Sequence, residues 1–235
     1  MGIVDGLRAG LATTLPMAAL LLVPAGLVPG GTWVWPAGLA FIAVTGAISI
    51  GGNIALAVHK PANFKVRRQG VIAKREKRQP LADAVGAAVL IAFGAAWLVF
   101  VPCDVFRLHL LGRPTLWVSA LGAVCVVVGA ALTPLAVWEN EFATPNVQDQ
   151  TGASQRVIDT GVYALVRHPI YAGNLLLFGG AALWLGSYAA FLSMGVLLVA
   201  TIGRIVVEEA HLGANLPGYA EYSRRVRSRL IPWVI

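Results

Sequence analysis

The sequence contains few charged side chains for its length. Asp, Glu, Lys and Arg make up 12% of the 235 residues, whereas soluble domains typically carry about 25%. Hydrophobic residues make up 57% of the chain, which also excludes disorder, because disordered segments stay solvated only when they are poor in apolar residues. The composition therefore largely excludes a soluble globular protein and indicates a lipid bilayer as the natural solvent.

Cysteines and recognisable catalytic clusters are also scarce. The two cysteines, Cys103 and Cys125, both lie in apolar segments, which excludes a disulfide framework and a CxxC metal site. His59, His109 and His211 lack the spacing of metal ligands, so we expect no metal. The sequence shows no Walker loop and no Ser-His-Asp arrangement, which favours chemistry carried by a bound cofactor.

Positive charge is concentrated in one stretch of the chain. The formal net charge is +7, and eight Lys and Arg residues, against one acid, lie between Lys60 and Arg78. A nucleic-acid-binding protein can show such a run, but this one lies between two apolar stretches. We therefore interpret it as a cytoplasmic loop of a membrane protein and expect no nucleic-acid partner.

Long apolar runs predict about six transmembrane helices. Four segments reach the roughly 20 residues that a membrane-spanning helix needs: Ala9 to Val28, Trp33 to Val58, Leu81 to Pro102 and Leu116 to Trp138. A fifth region, Pro169 to Val207, is too long for one crossing and is interrupted at Gly186-Ser187, which predicts a helical hairpin. Its first arm is about 26 Å long at 1.5 Å per residue, slightly short of the hydrocarbon core.

The predicted fold is an all-α, multi-pass membrane protein with a C-terminal helical hairpin and a polar tail. We divide it into a four-helix transmembrane region, residues 1–138, and a second region, residues 139–235, that holds a loop, the hairpin and the tail. The distribution of Lys and Arg among alternate loops predicts that both termini and the basic loop lie in the cytoplasm.

The hairpin is preceded by two basic side chains. Arg167 and His168 come directly before Pro169, and Pro suits the first position of a helix because its missing N–H would have no partner there. Free backbone N–H groups and the helix dipole make such a start a ready site for a carboxylate or phosphate. The alternative, that Arg167 and His168 simply contact lipid headgroups, stays open on spacing alone.

Two acids follow the second arm of the hairpin. Glu208 and Glu209 come directly after an apolar run, where they would repel each other and oppose the dipole of a helix end. Hairpin arms of similar length bring their ends together, so we expect the acid pair near Arg167 and His168. Such a pocket, with cations on one wall and carboxylates on the other, suits a zwitterionic or partly cationic cofactor.

The tail contains an aromatic stripe. Tyr219, Tyr222 and Val226 recur at i, i+3 and i+7, which places them on one face of a short helix. This helix is either an amphipathic helix in the membrane interface or a lid over the cofactor that excludes water.

These motifs together resemble the isoprenylcysteine carboxyl methyltransferase and phospholipid methyltransferase superfamily. The resemblance rests on Thr160 to Tyr163, on Arg167 to Gly173, on the acid pair and on Tyr219 to Tyr222, and it covers about Asp159 to Pro232. It implies an integral membrane methyltransferase that binds S-adenosylmethionine at the cytoplasmic ends of the hairpin and acts on a lipophilic acceptor from the bilayer.

The resemblance also implies roles for particular residues. The cofactor-side residues are Tyr163, Arg167, His168, Pro169, Tyr171, Gly173, Asn174, Glu208, Glu209 and Tyr219. Arg225 matches an arginine at the active-site position of the family, and Glu209 or His168 could remove a proton from an amine or thiol acceptor. The tail departs from the family pattern at Leu216-Pro217-Gly218 and at Arg227.

Two other classes of function remain open from the sequence. One is a sterol-reductase-like NADPH-dependent oxidoreductase, whose tyrosine-rich tail is similar. The other is a non-catalytic transporter or accessory membrane protein, which would be expected to carry ionisable residues near the middle of its helices. The acceptor atom, whether oxygen, sulfur or nitrogen, is also left open by the sequence.

Overall fold

The protein is a bundle of long apolar helices. The computed structural model describes residues 2–72, 81–142 and 156–234, and within these ranges every regular element is helical. The elements are α1 (Ile3–Leu27), α2 (Pro36–His59), α3 (Pro61–Ile72), α4 (Leu81–Cys103), α5 (Leu116–Glu139), α6 (Pro169–Leu185), α7 (Tyr188–Asn215) and α8 (Tyr219–Arg225).

Five of the described helical segments are long and apolar enough to cross a membrane. These are Ile3–Leu27, Pro36–His59, Ala88–Leu108, Leu116–Glu139 and Tyr188–Asn215, and the third includes the π-helical turn Asp104–Leu108 that follows α4. The apolar helix α6 is shorter, at 17 residues, as the sequence predicts. The all-α, multi-pass membrane class is therefore confirmed.

Two predicted boundaries are wrong. The stretch after Lys60 is not a plain loop, because Pro61–Ile72 forms α3, which starts at a proline in its first turn; the rest of the predicted basic loop, residues 73–80, lies outside the described residues. Helix α7 continues eight residues past Val207. Glu208 and Glu209 therefore lie inside a helix and not at its end. Leu212, in the next turn, packs against the tail.

Helices α5 and α6 make the most extensive contact in the bundle. A Cβ added at Gly129 would lie 2.5 Å from the carbonyl oxygen of Gly173, and one at Gly180 would lie 2.6 Å from that of Gly122. The two backbones can approach this closely only because the facing positions are glycines, as is common between membrane helices. The division proposed after residue 138 falls at the end of α5 and stays a prediction.

The hairpin turn forms at the predicted break. Gly186 has φ of 102°, in the left-handed region that glycine favours, and the Ser187 hydroxyl accepts a hydrogen bond from the Ala190 N–H at 2.9 Å. The buried Asp104 carboxylate accepts from the Ser187 hydroxyl at 2.6 Å and from the Leu110 N–H at 2.9 Å. These bonds fix the hairpin turn against the end of α4.

The opposite end of the bundle holds α3, which carries Lys65, Arg67 and Arg68, and we call it the basic end. There α3 covers the C-terminus of α5, because the Asn63 amide donates to the Val137 carbonyl at 3.1 Å and the Lys60 ammonium donates to the Trp138 carbonyl. Both bonds satisfy carbonyls that a helix C-terminus leaves without an intrahelical partner. The start of α6 and the last turns of α7 lie at the same end.

Candidate functional site

The loop that leads into α6 is paired with the tail. The Arg167 N–H donates to the Ser228 carbonyl and the His168 N–H donates to the Arg229 carbonyl, both at 3.0 Å. Pro169 is buried as the first residue of α6. The N–H groups of Arg167 and His168, which precede α6, are thus bonded to the tail, and the predicted anion site at the helix start stays a prediction.

Glu209 is the centre of the charged groups. One of its oxygens accepts from the Arg167 Nε at 2.8 Å and lies 3.1 Å from the His168 Nε2, and the other accepts from the Arg229 Nε at 3.0 Å. The acid pair and the basic pair thus meet, as equal hairpin arms predict. We call Arg167, His168, Glu208, Glu209 and Arg229 the charge cluster.

Arg167 connects the charge cluster to the tail. Its Nη1 donates to the Ser223 carbonyl at 3.1 Å and to the Val226 carbonyl at 2.9 Å. Its side chain is 8% exposed and that of Glu209 is 14% exposed. The charges of Arg167 and Glu209 therefore neutralise each other at a position with little access to water. Hydrogen bonds between charged groups are strong there.

Glu208 stands at the more open edge of the charge cluster. It accepts a hydrogen bond from the Tyr171 hydroxyl at 2.7 Å, and that hydroxyl accepts from the Arg204 Nε at 2.7 Å. The Tyr171 ring also stacks on His168 with 5.6 Å between centroids. The Glu208 side chain is 25% exposed, so it is better placed than Glu209 to meet a ligand.

Sequence reasoning missed Arg204 and Arg229. Arg204 has a signal that could have identified it, because it lies in an apolar helix four residues before Glu208, and ionisable residues in membrane helices are usually functional. Arg229 has no such signal, since only the folding of the tail brings it to Glu209.

Three tyrosines pack beside the charge cluster. Tyr219 and Tyr222 form a buried group with Val226 against Val157, Leu212 and Leu216, so the shared face predicted for the tail is confirmed, and this face packs against the protein itself. The Tyr222 hydroxyl donates to the Tyr163 carbonyl at 2.9 Å. Burial raises the pKa of Tyr163 to about 12, although a hydrogen bond from Asn140 acts in the opposite direction.

Tyr219 carries a polar atom that the described chain does not satisfy. Its ring is buried, and its hydroxyl has no hydrogen-bond partner among the described residues. Burial, and then the nearby Glu209 charge, raises the Tyr219 pKa above its ordinary value. A buried hydroxyl without a partner costs free energy, and the predicted role of Tyr219 at the cofactor stays a prediction.

The remaining predicted site residues lie elsewhere. Arg225 forms an ion pair with Asp159 and its side chain is 64% exposed, so it is outside the charge cluster. Gly173 lies in the contact between α5 and α6. Asn174 lines a cavity between the helices, together with Arg67 of α3.

No group of three or more His, Cys, Asp or Glu side chains that could hold a metal ion occurs in the ranges that the structure describes.

The fold and the site define a class of protein: a helical, multi-pass membrane protein with a charged site where a hairpin meets its tail. Residues 117–216 match the family described as phospholipid methyltransferase. The matched region runs from α5 to the end of α7. The match includes α5, which the motif resemblance did not cover. No curated protein gives a significant match.

Proposed function

We propose that the protein transfers a methyl group from S-adenosylmethionine to a lipophilic acceptor that reaches the site from the bilayer. The observation that carries this proposal is the charge cluster, in which the acid pair of α7 meets Arg167 and His168 inside a region that matches phospholipid methyltransferases. The clustering of Lys and Arg supports a cytoplasmic position for this site and for both termini.

The residues present fit such a cofactor. Its amino acid part carries an ammonium and a carboxylate, which match the partly exposed carboxylate of Glu208 and guanidinium of Arg229. The Tyr219 hydroxyl lacks a partner among the described residues and is available to bond to it. When bound, S-adenosylmethionine supplies an electrophilic methyl group on a sulfonium ion.

The chain itself contributes positioning and exclusion of water. Arg167 holds the tail against the loop through two carbonyls, and the tail covers the site with Tyr219 and Tyr222. A water-poor site with its groups already aligned lowers the cost of bringing two reactants together. Direct methyl transfer from the cofactor to the acceptor requires no nucleophilic side chain on the protein.

The contacts of Glu209 favour a positioning role for it over removal of a proton. Both of its oxygens are engaged by arginine side chains, which stabilise the carboxylate and make it a weak base. The other nitrogen of His168, Nδ1, lies 4.0 Å from Glu208. If the acceptor is an amine or thiol, we assign proton removal to His168 with Glu208 beside it.

Titration of the purified protein with S-adenosylhomocysteine by calorimetry tests the proposal. We expect binding to the parent, and Glu208→Gln to weaken it by roughly tenfold to a hundredfold, because one charged hydrogen bond is worth about 1.5–3 kcal/mol. Glu221→Gln is the matched control, since Glu221 is an exposed acid paired with Arg224 within α8. The affinity of the Glu221→Gln variant for S-adenosylhomocysteine should equal that of the parent protein.

NADPH is titrated in parallel. Binding of NADPH with none of S-adenosylhomocysteine would replace the proposal with a reductase. No binding of either would favour a non-catalytic membrane protein.

A further inference from the structure

The segment after α8 forms an exposed apolar turn. Ile231, Trp233 and Val234 all expose their side chains, and Trp233 is 92% exposed, whereas the aromatic face of α8 packs against the protein. We call residues 231–234 the apolar turn. Large apolar side chains that stand together at a surface indicate contact with a partner or a membrane.

Hydrogen bonds fix the conformation of the apolar turn. The Trp233 N–H donates to the hydroxyl of the buried Ser228 at 2.8 Å, and the Val234 N–H donates to the Ile231 carbonyl at 3.1 Å. Trp233 has φ of 62°, in the left-handed region that a bulky residue adopts only at a cost in free energy. The tail therefore presents the Trp233 ring in a defined, exposed position.

The tail lies beside the start of the apolar helix α6. The carbonyls of Ser228 and Arg229 accept from the two N–H groups that directly precede Pro169, each at 3.0 Å, and Pro169 is the first residue of α6. Ile231 follows Arg229 by two residues, so it lies within about 7 Å of it along the chain. The apolar turn is therefore close to the level at which α6 enters the bilayer.

Helix α7 indicates the same level. The Arg229 Nε donates to the Glu209 carboxylate at 3.0 Å. In the preceding turn Val206 and Val207 are exposed, on a helix long and apolar enough to cross a membrane. A change from exposed valines to charged side chains is typical of the boundary between hydrocarbon and headgroups. The tail therefore runs along this boundary.

The chemistry of the exposed side chains suits this boundary. Tryptophan is enriched where hydrocarbon meets headgroups, because its ring is apolar and its N–H is polar. Arg227 is exposed and has no acidic partner among the described residues, whereas Arg224 pairs with Glu221 at 3.0 Å. Arg227 is also a position at which the tail departs from the family pattern. An exposed guanidinium without a counter-ion is suited to a lipid phosphate.

We propose that the apolar turn inserts into the membrane interface at the basic end and that Arg227 bonds to a lipid phosphate. The same tail accepts hydrogen bonds from the loop before α6, so contact with lipid holds the tail over the charge cluster. Closure of the site thus depends on the bilayer surface as well as on the protein. Neither the lipid contact nor its test depends on the proposed methyl transfer.

A depth measurement tests the lipid contact. In the protein with Cys103 and Cys125 replaced, Trp233→Cys is labelled with a fluorophore in phosphatidylcholine nanodiscs, some of whose lipids carry a spin label near the headgroup. We expect strong quenching by the spin-labelled lipid and weak quenching by aqueous iodide. Arg224→Cys is the matched control, because Arg224 is exposed on α8, and a label there should show the reverse.

Two outcomes of the depth measurement would overturn the inference. A label at position 233 that is quenched by iodide and not by the lipid would place the apolar turn in water. A label that is quenched by neither would mean that protein, such as a second copy of this chain, covers the apolar turn.

Hydrogen exchange tests whether lipid contact holds the tail in place. The amides of Arg167 and His168 are bonded to the tail carbonyls, so they exchange when the tail moves away. In nanodiscs Trp233→Ser should speed their exchange about fivefold or more, because loss of a buried indole weakens the lipid contact, while Trp233→Tyr should keep it slow. Unchanged exchange of amides in α5 shows that each variant is folded.

Trp117→Ser is the matched control, because Trp117 is also exposed but lies in the first turn of α5, at the other end of the bundle. It should leave the exchange at Arg167 and His168 unchanged. Equal exchange in the parent, Trp233→Ser and Trp117→Ser would overturn the link between lipid contact and closure of the site.

Anionic lipid tests the role of Arg227. Phosphatidylglycerol added to the nanodiscs should slow exchange at Arg167 and His168 in the parent, because anionic headgroups attract cations near the surface. Arg227→Gln should reduce this response, and Arg224→Gln should respond as the parent does, since the charge of Arg224 is balanced by Glu221. Equal responses of the two variants would overturn the assignment of Arg227 to a lipid phosphate.

Discussion

At the scale of single residues, the site is dominated by charges that satisfy one another. Glu209 alone neutralises two arginines, so removing it would leave Arg167 buried without its counter-ion, at a cost that for buried pairs reaches about 3–5 kcal/mol. The residues at the edge, Glu208 and Arg229, are the ones whose change tests ligand binding without this penalty. Glu209 thus has a structural role, and the proposed ligand contacts belong to its neighbours Glu208 and Arg229.

Arg225 provides a test at the residue scale. Its exposed ion pair with Asp159 contributes little to stability, since such pairs are worth about 0–1 kcal/mol, but it positions α8 against the loop before α6. If Arg225 contacts the acceptor, as the resemblance implies, Arg225→Lys should lower methyl transfer at least tenfold with S-adenosylhomocysteine affinity unchanged, because lysine keeps the charge without the planar fork. Turnover and cofactor titration on one preparation measure both.

Arg224→Lys is the matched control, because Arg224 pairs with Glu221 inside the same short helix. Arg224→Lys should leave the rate of methyl transfer unchanged. Equal and small effects of the two substitutions would mean that Arg225 is only a surface charge.

At the scale of elements, the contact of α5 with α6 determines the position of the hairpin in the bundle. The facing glycines let the backbones touch, and this contact fixes the first turn of α6, which carries Tyr171. Gly173 therefore has a packing role that its place in the motif does not reveal. Its predicted role at the cofactor stays a prediction.

The α5–α6 contact is tested by Gly129→Ala. The added methyl would lie 2.5 Å from the Gly173 carbonyl oxygen and the Leu177 nitrogen, so backbones must separate, at a cost of about 1–3 kcal/mol. We expect a lower melting temperature in detergent and weaker binding of S-adenosylhomocysteine.

Gly195→Ala in α7 is the comparison, because a Cβ there meets nothing within 4 Å. That change should be neutral or slightly stabilising, since alanine favours helices. A Gly129→Ala protein as stable as Gly195→Ala would show that the contact is looser than described.

Much of this architecture could be predicted from the sequence. Hydropathy predicts the long helices, and the Gly186-Ser187 break predicts a hairpin whose ends bring Glu209 to Arg167. Periodicity could not reveal α3, whose polar sequence folds onto the C-terminus of α5 by tertiary contacts. It also could not predict that Ser228 and Arg229 take the N–H groups before α6, because that pairing joins segments about 60 residues apart.

At the scale of the whole molecule, polar groups are divided unequally between the two ends of the bundle. The basic end holds α3 and the charge cluster, while the other end holds the buried Asp104 and the hairpin turn. This asymmetry supports the proposal that the basic end faces the cytoplasm.

Labelling of single cysteines tests the orientation. In a background with Cys103 and Cys125 replaced, Lys65→Cys on the exposed side of α3 should react with an impermeant maleimide only from the cytoplasmic side. Leu110→Cys, exposed in the loop after the π-helical turn, should react only from the opposite side. Labelling in the reverse pattern would invert the orientation and move the site out of the cytoplasm.

The pairing of Arg167 and His168 with the tail has a consequence for the order of synthesis. Both arms of the hairpin are synthesised before residues 223–229, so Arg167 is made before any of its tail acceptors. The site is therefore completed only by the last part of the chain to be made. A chain that ended before Ser223 would keep the residues of the Arg167–Glu209 pair but would lack the tail carbonyls that bond to Arg167.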